Sequence, residues 1–188
     1  MGYTTDFTGR FLLDKKLTPA HIAYLNEFAN TRRMKRNPEI TKNLFDPLRI
    51  IAHLPLGVEG EYYVGGNQKQ NLQQATTQDQ IPDIFSGSGQ AHIKDIIDYN
   101  MPPSTQPGLW CSWAPSDDGM GIEWNGGEKF YHYIEWIEYI IKNFLKPWGY
   151  TVNGVVRWQG EESDDIGVIE VEDNIVASKG VKLPDVTY

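Results

Sequence analysis

Two adjacent guanidinium groups, Arg32 and Arg33, and a turn reading Gly-Gly-Glu-Lys-Phe-Tyr-His over residues 126–132 are the groups best suited to chemistry in this chain. An arginine fork matches a carboxylate or phosphate, and an aromatic ring stacks on a flat ligand. Arg32 and Arg33 with Tyr63, Trp110 or Tyr131 therefore describe a pocket for a nucleotide or other small anion. In the turn, Glu128 or His132 would act as acid or base beside Lys129 and Tyr131. The candidate ligand-binding residues are thus Arg32, Arg33, Tyr63, Trp110, Glu128, Lys129 and Tyr131. The basic cluster Arg32-Arg33-Met34-Lys35-Arg36 also has a structural reading, because cations suit the C-terminal end of a helix.

Other reactive side chains are less well placed. Cys111 is the sole thiol, flanked at short range by Trp110 and Trp113, and reads as a buried structural cysteine. The histidines at 21, 53, 92 and 132 have no zinc-ligand spacing. Glu161-Glu162 and Asp164-Asp165 crowd one loop, but without the ligand periodicity of a calcium loop, and Asp117-Asp118-Gly119 reads as turn chemistry. No phosphate-cradling loop and no Gly-x-Ser-x-Gly elbow is present. No metal, no cofactor and no catalytic residue is assigned, and the reading leans away from an enzyme.

The elements that must position these groups follow from periodicity. Thr and aromatic residues alternate from Tyr3 to Leu13 as in a strand. Thr18-Pro19 opens a helix running to about Met34, with Ile22, Leu25 and Phe28 on one side. Asp46-Pro47 starts a short helix, Glu61–Val64 reads as a short strand, and Ala91–Tyr99 as another short helix. Leu109–Trp113 and Met120–Trp124 form a hairpin about Ser116–Gly119, and strand alternation sends Trp110 and Trp113 to opposite faces. Phe130, Ile134, Ile137, Ile141, Phe144 and Leu145 define the strongest helix, with Asn125 as its N-cap, Glu128 three residues on, and Pro147 beyond its end. Strands at 150–158, 166–171 and 175–179 close a meander, with Asn153-Gly154 as a bulge or early turn. This is an α+β layout, a mostly antiparallel sheet with two helices on one face, for which a ferredoxin-like βαββαβ core extended by a C-terminal meander is one concrete topology. Residues 1–188 read as a single domain with an irregular excursion at 37–108, Gln/Asn-rich and flexible near 66–90, and the tail past Gly180 as frayed.

Composition limits the partners. With 40% hydrophobic and 12% aromatic residues the chain has material for a core, and no apolar run approaches the roughly 20 residues of a membrane span. The N-terminus lacks a signal-peptide pattern, and one cysteine fits a reducing compartment, so the expectation is cytoplasmic. The net charge of -8 is graded. Residues 1–36 carry seven Lys/Arg against three Asp/Glu, 37–108 four against eight, and 109–188 six against fourteen. Such a body argues against general nucleic-acid or membrane adhesion and suits a basic protein surface.

The segments Gly2–Phe7, Arg32–Met34, Tyr62–Gly66, Gln106–Trp113 and Gly126–Tyr131 resemble a family of short hypothetical proteins of bacteria and bacteriophages. The resemblance spans nearly the whole chain apart from the Gln-rich part, which is longer here. It carries no assigned activity and implies a small cytoplasmic accessory protein, phage-encoded, that inhibits or modulates a host protein such as a defence factor. A non-enzymatic binding protein with a protein partner is the first expectation. The nucleotide or small-anion pocket, or a small enzyme acting on such a ligand, is the alternative.

Overall fold

The nine residues from Thr5 to Leu13 alternate between buried and exposed positions, placing Phe7, Phe11 and Leu13 in the interior and Leu12 outside. That strand is the middle of the architecture. The computed structural model describes residues 2–65 and 94–180. In chain order the elements are β1 (Thr5–Leu13), α1 (Pro19–Asn30), β2 (Lys35–Arg36), α2 (Pro38–Thr41), α3 (Pro47–Ile51), β3 (Ile96–Asp98), β4 (Trp113–Pro115), β5 (Gly121–Trp124), α4 (Tyr133–Ile140), β6 (Val152–Gly160), β7 (Ile166–Glu172) and β8 (Ile175–Gly180). The Gln/Asn-rich 66–90, the Ser-Gly run at 86–89, His92 and the tail past Gly180 lie outside the described residues.

The chain divides into two compact units, Met1–Thr18 with Cys111–Tyr188, and Pro19–Trp110. The first is an antiparallel six-stranded sheet in the order β4-β5-β1-β6-β7-β8. Its first four strands have the order of a split βαββαβ core, and β7 and β8 extend it as the expected meander. The fold is α+β. Phe7, Phe11 and Leu13 share the buried side with Val152, Val156, Trp158, Ile169 and Val171, and α4 supplies Trp136, Ile137 and Ile140 to the interior. The rings of Phe7, Trp113, Phe130 and Tyr133 meet edge to face, with Phe7 and Tyr133 at 4.9 Å, a geometry favoured by the ring quadrupoles.

The long helix starts later than the sequence suggests. Asn125 does not cap it; its Oδ1 accepts from the Gly127 amide at 2.9 Å. Gly126, Lys129 and His132 then take positive φ values of 82°, 57° and 56°, which no helix tolerates in sequence. The bends let Phe130 reach the core before the helix begins at Tyr133. From Ile141 to Leu145 the helix widens, with Lys146 N–H donating to the Ile141 carbonyl at 2.9 Å. The wider turn brings Ile140, Ile141, Phe144 and Leu145 all into the interior, and the Asn143 side chain donates to the Tyr139 carbonyl at 2.9 Å.

Gly154 is no bulge. Pairing runs without a break from Thr5↔Gly160 to Leu13↔Val152. A Cβ on Gly154 would stand 2.9 Å from the Arg10 carbonyl oxygen at φ +137°, so glycine is there for close backbone approach.

The second unit has little regular structure. α1 stops at Asn30, where the Thr31 hydroxyl donates to the Glu27 carbonyl at 2.6 Å and turns the chain. The basic cluster therefore lies beyond the helix and not in its last turn. Residues 96–98, expected as helix, form a strand paired with Lys35–Arg36; paired β-branched Ile96-Ile97 suits that better. Residues 61–64, expected as strand, are irregular, and 109–112 precede β4 without joining it.

Candidate functional site

Each guanidinium of the basic cluster lies on an aromatic ring of its own unit. Arg32 stands 4.3 Å from the Tyr99 ring centroid, Arg33 4.3 Å from Phe28, and Arg36 4.3 Å from Tyr63. Arg32 also donates to the Tyr99 carbonyl at 3.1 Å and to Asn100 Oδ1 at 3.2 Å. Arg33 is 2% exposed, and its Nη2 donates to the carbonyls of Glu61 at 3.0 Å and Tyr63 at 2.6 Å. Arg36 pairs with the buried Asp95 at 2.6 Å. These cations are engaged in holding the chain, which is how buried charge is tolerated.

What they hold is Glu61–Gly65. A buried segment without helix or strand needs side-chain partners for its backbone groups. Besides Arg33, Gln106 Nε2 donates to the Glu61 carbonyl at 2.7 Å, and Tyr24 Oη to the Tyr62 carbonyl at 2.8 Å. Asp46 Oδ1 accepts from the amides of Val64 at 3.3 Å and Gly65 at 2.8 Å, while its Oδ2 holds Arg49 Nε. Tyr63 is thus a core residue, 5% exposed, and not a stacking platform.

In the first unit, Glu128 and Lys129 are exposed, and Tyr131 is 48% exposed. Glu128 is not one helical turn before His132, since both precede the helix. The Tyr131 hydroxyl accepts from the Tyr3 amide at 3.1 Å. The Tyr3 hydroxyl donates to Asp165 Oδ2 at 2.6 Å, and Trp158 Nε1 to Oδ1 at 3.3 Å; Glu161 accepts from the Thr4 amide at 2.6 Å. The acidic loop thereby fastens the N-terminal residues. Three glycines make room for this latch. A Cβ on Gly160 would overlap the Tyr3–Asp165 contact, one on Gly167 the Trp158 ring, and one on Gly2 would come within 2.8 Å of the Tyr131 hydroxyl. Among the described residues no three His, Cys, Asp or Glu side chains are grouped to hold a metal.

The candidate residues therefore fall into two sets. Arg32, Arg33, Tyr63 and Trp110 lie in the second unit, where Arg33 and Tyr63 meet as core struts. Glu128, Lys129 and Tyr131 lie in one loop of the first. Trp110 is 45% exposed and Trp113 is 1% exposed, so one tryptophan does face solvent, although Trp110 is not in a strand.

Burial has a measurable consequence. It pushes the Tyr63 and Tyr133 phenols up to about 12, Asp165 and Glu135 adding to the effect at Tyr133 and Arg36 opposing it at Tyr63; full burial raises Tyr24 as well. Because the folded values are raised, the stability they contribute is complete below about pH 10 and is lost as the pH climbs towards 12. Ultraviolet titration of the ten tyrosines is expected to leave these three protonated at pH 10.5 to about 11 while exposed phenols ionise. A single transition near 10 with the fold intact would contradict this.

The segment that sequence reasoning missed runs from α2 through α3. Within it Ile40, Leu44, Phe45, Ile50 and Ile51 are 38%, 38%, 48%, 61% and 55% exposed. Buried polar groups fix it from behind. Thr41 Oγ1 donates to the Asn37 carbonyl at 2.8 Å and lies 3.2 Å from Asp95 Oδ2, Asp46 binds Arg49, and Arg49 Nη1 donates to the Leu54 carbonyl at 2.9 Å. The polar residues Thr41, Asp46 and Arg49 thus point inward while the apolar ones point out, the reverse of the usual soluble helix. No sequence signal marked it, since apolar residues at 40, 44, 45, 50 and 51 read as core material and burial is not visible in the sequence.

Fold and surfaces define an α+β protein with a six-stranded antiparallel sheet in one unit and a second unit braced by buried arginines. The chain matches no family model, no curated protein and no solved structure. No helix among the described residues is long and apolar enough to cross a membrane.

Proposed function

We propose that the chain is a non-catalytic binding protein that docks on a partner protein through the α2–α3 surface. One observation carries the reading: five large apolar side chains within twelve residues stand in solvent on a backbone that buried ion pairs hold rigid. A rigid apolar surface is what a protein interface needs at its centre, since little ordering entropy is lost on contact. The resemblance to bacterial and bacteriophage proteins would make the partner a host protein and the effect inhibition or modulation. The alternative, a nucleotide or small-anion pocket, asks Arg32 and Arg33 to release the carbonyls and rings they hold.

The two readings separate in one experiment. In a thermal-shift panel of nucleotides, dinucleotides and inorganic phosphate, a ligand at 100 times its dissociation constant would add about 2.7 kcal/mol. The docking reading predicts no shift from any of them, and a partner captured by the wild-type protein that Phe45→Asp with Ile50→Asp fails to capture. A nucleotide shift abolished by Arg32→Ala, with capture unaffected by the double variant, would favour the pocket.

A further inference from the structure

The outer edge of β8 points to a second interaction surface, independent of the docking reading. β8 runs six residues in unbroken register with β7, from Glu172↔Ile175 to Gly167↔Gly180. Edge strands are commonly guarded by proline, bulges, charged side chains or short length. The opposite edge, β4, has three residues and ends in Pro115. β8 has neither bulge nor proline, one charge at Lys179, and Ile175 at 73% exposure. Among the described residues no strand lies beyond it.

Which backbone groups face outward follows from the turn. Asp173 and Asn174 have φ of 47° and 69°, the two-residue hairpin turn with both central residues left-handed. Such a turn makes Glu172 and Ile175 a hydrogen-bonded pair, so Ile175, Ala177 and Lys179 bond to β7. Val176, Ser178 and Gly180 then direct their N–H and C=O groups away from the sheet. An occupant must be an extended backbone.

We infer that the occupant is β8 of a second copy, antiparallel, about a two-fold axis through Ala177. Residues opposite each other in a continuous sheet share a face, so the strand can pair with itself only in registers that preserve its alternation. Centring on Ala177 sets Val176 against Ser178 of the second copy, each pair exchanging two hydrogen bonds. The small Ala177 faces itself, and Lys179 stands opposite Ile175. Lys179 is then diagonal to Asp173 of the other copy, within reach of a long side chain. Centring on Ser178 would instead set the two Lys179 side chains diagonal to each other. Charge selects the Ala177 register. A single strand pair covers less than the roughly 1,200–2,000 Å² of a stable interface, so the dimer is weak and forms with rising concentration.

The test uses the full chain. Ala177→Cys places two thiols at a non-hydrogen-bonded pair, where Cα atoms stand about 4.5 Å apart, inside the disulfide range. Mild oxidation is expected to cross-link it to a dimer, whereas Lys179→Cys, remote from its own mate, stays monomeric. Cys111 is 1% exposed and does not compete. In sedimentation equilibrium up to about 1 mM, a monomer–dimer equilibrium is expected, with Ser178→Pro weakening association at least tenfold. The Ser178 amide does not serve the β7 ladder, so that variant keeps the wild-type melting temperature. A wild-type protein monomeric throughout, or cross-linking no faster at 177 than at 179, overturns the proposal. So does dimerisation that Ser178→Pro leaves unchanged.

Discussion

Asp46→Ala is expected to cost about 3–5 kcal/mol, the range for stranding one partner of a buried ion pair. Asp46 is 4% exposed and serves three donors at once: the amides of Val64 and Gly65 and the Arg49 side chain. Alanine strands a buried guanidinium and two buried N–H groups without filling the space. The damage should concentrate in the Pro19–Trp110 unit, so the informative readout is residue-level hydrogen exchange and not a single melting curve, which two units do not guarantee to be two-state. Protection at Val64 and Gly65 should fall by at least two orders of magnitude, with β6 and β7 amides little changed. Asp46→Asn keeps an acceptor but turns an amide donor towards Arg49, and should lie between. Unchanged protection at 64 and 65 would mean that Asp46 does not brace that segment.

Gly167→Ala should be nearly as costly, for a steric reason. A Cβ there would fall within the Trp158 ring and 2.6 Å from the Lys179 carbonyl oxygen, so either the indole or the β7–β8 ladder must move. Overpacking usually costs about 1–3 kcal/mol, and involvement of backbone on one side puts this variant at or above the top of that range. The expected fall in melting temperature is about 6–12 °C for a chain of this size, with a change in tryptophan emission as the ring leaves Asp165. Gly180→Ala is the control: its Cβ would meet nothing within 4 Å, and its melting temperature should stay within about 2 °C of wild type. Equal effects from the two would contradict the steric account.

The strands were legible because half-buried strands write their pattern into every second residue. β1, β6 and β7 alternate clearly, and Asp173-Asn174 announces the turn into β8. The start of α4 was not legible. Asn125 with Glu128 imitates a capping pattern, but burying Phe130 against Phe7 and Trp113 outweighs a local cap. The second unit was opaque for a different reason. Its irregular backbone is held by Arg33, Asp46, Gln106 and Tyr24, partners far apart in sequence, and no short-range pattern encodes such contacts. Arg32 and Arg33 stood out in the sequence because charge is visible there and burial is not. The same blindness hid the exposed apolar residues of 40–51, whose hydrophobicity reads as core material.

The claim that α2–α3 docks a partner is tested most directly by comparative capture with the 188-residue chain. Wild type and the Phe45→Asp, Ile50→Asp double variant would be immobilised in equal amount, after circular dichroism and melting have shown both folded. The account predicts a partner retained by wild type and reduced at least tenfold on the variant, the scale of losing central apolar anchors. Equal retention by both, or retention lost only when the Glu128–Tyr131 turn is altered, would contradict it.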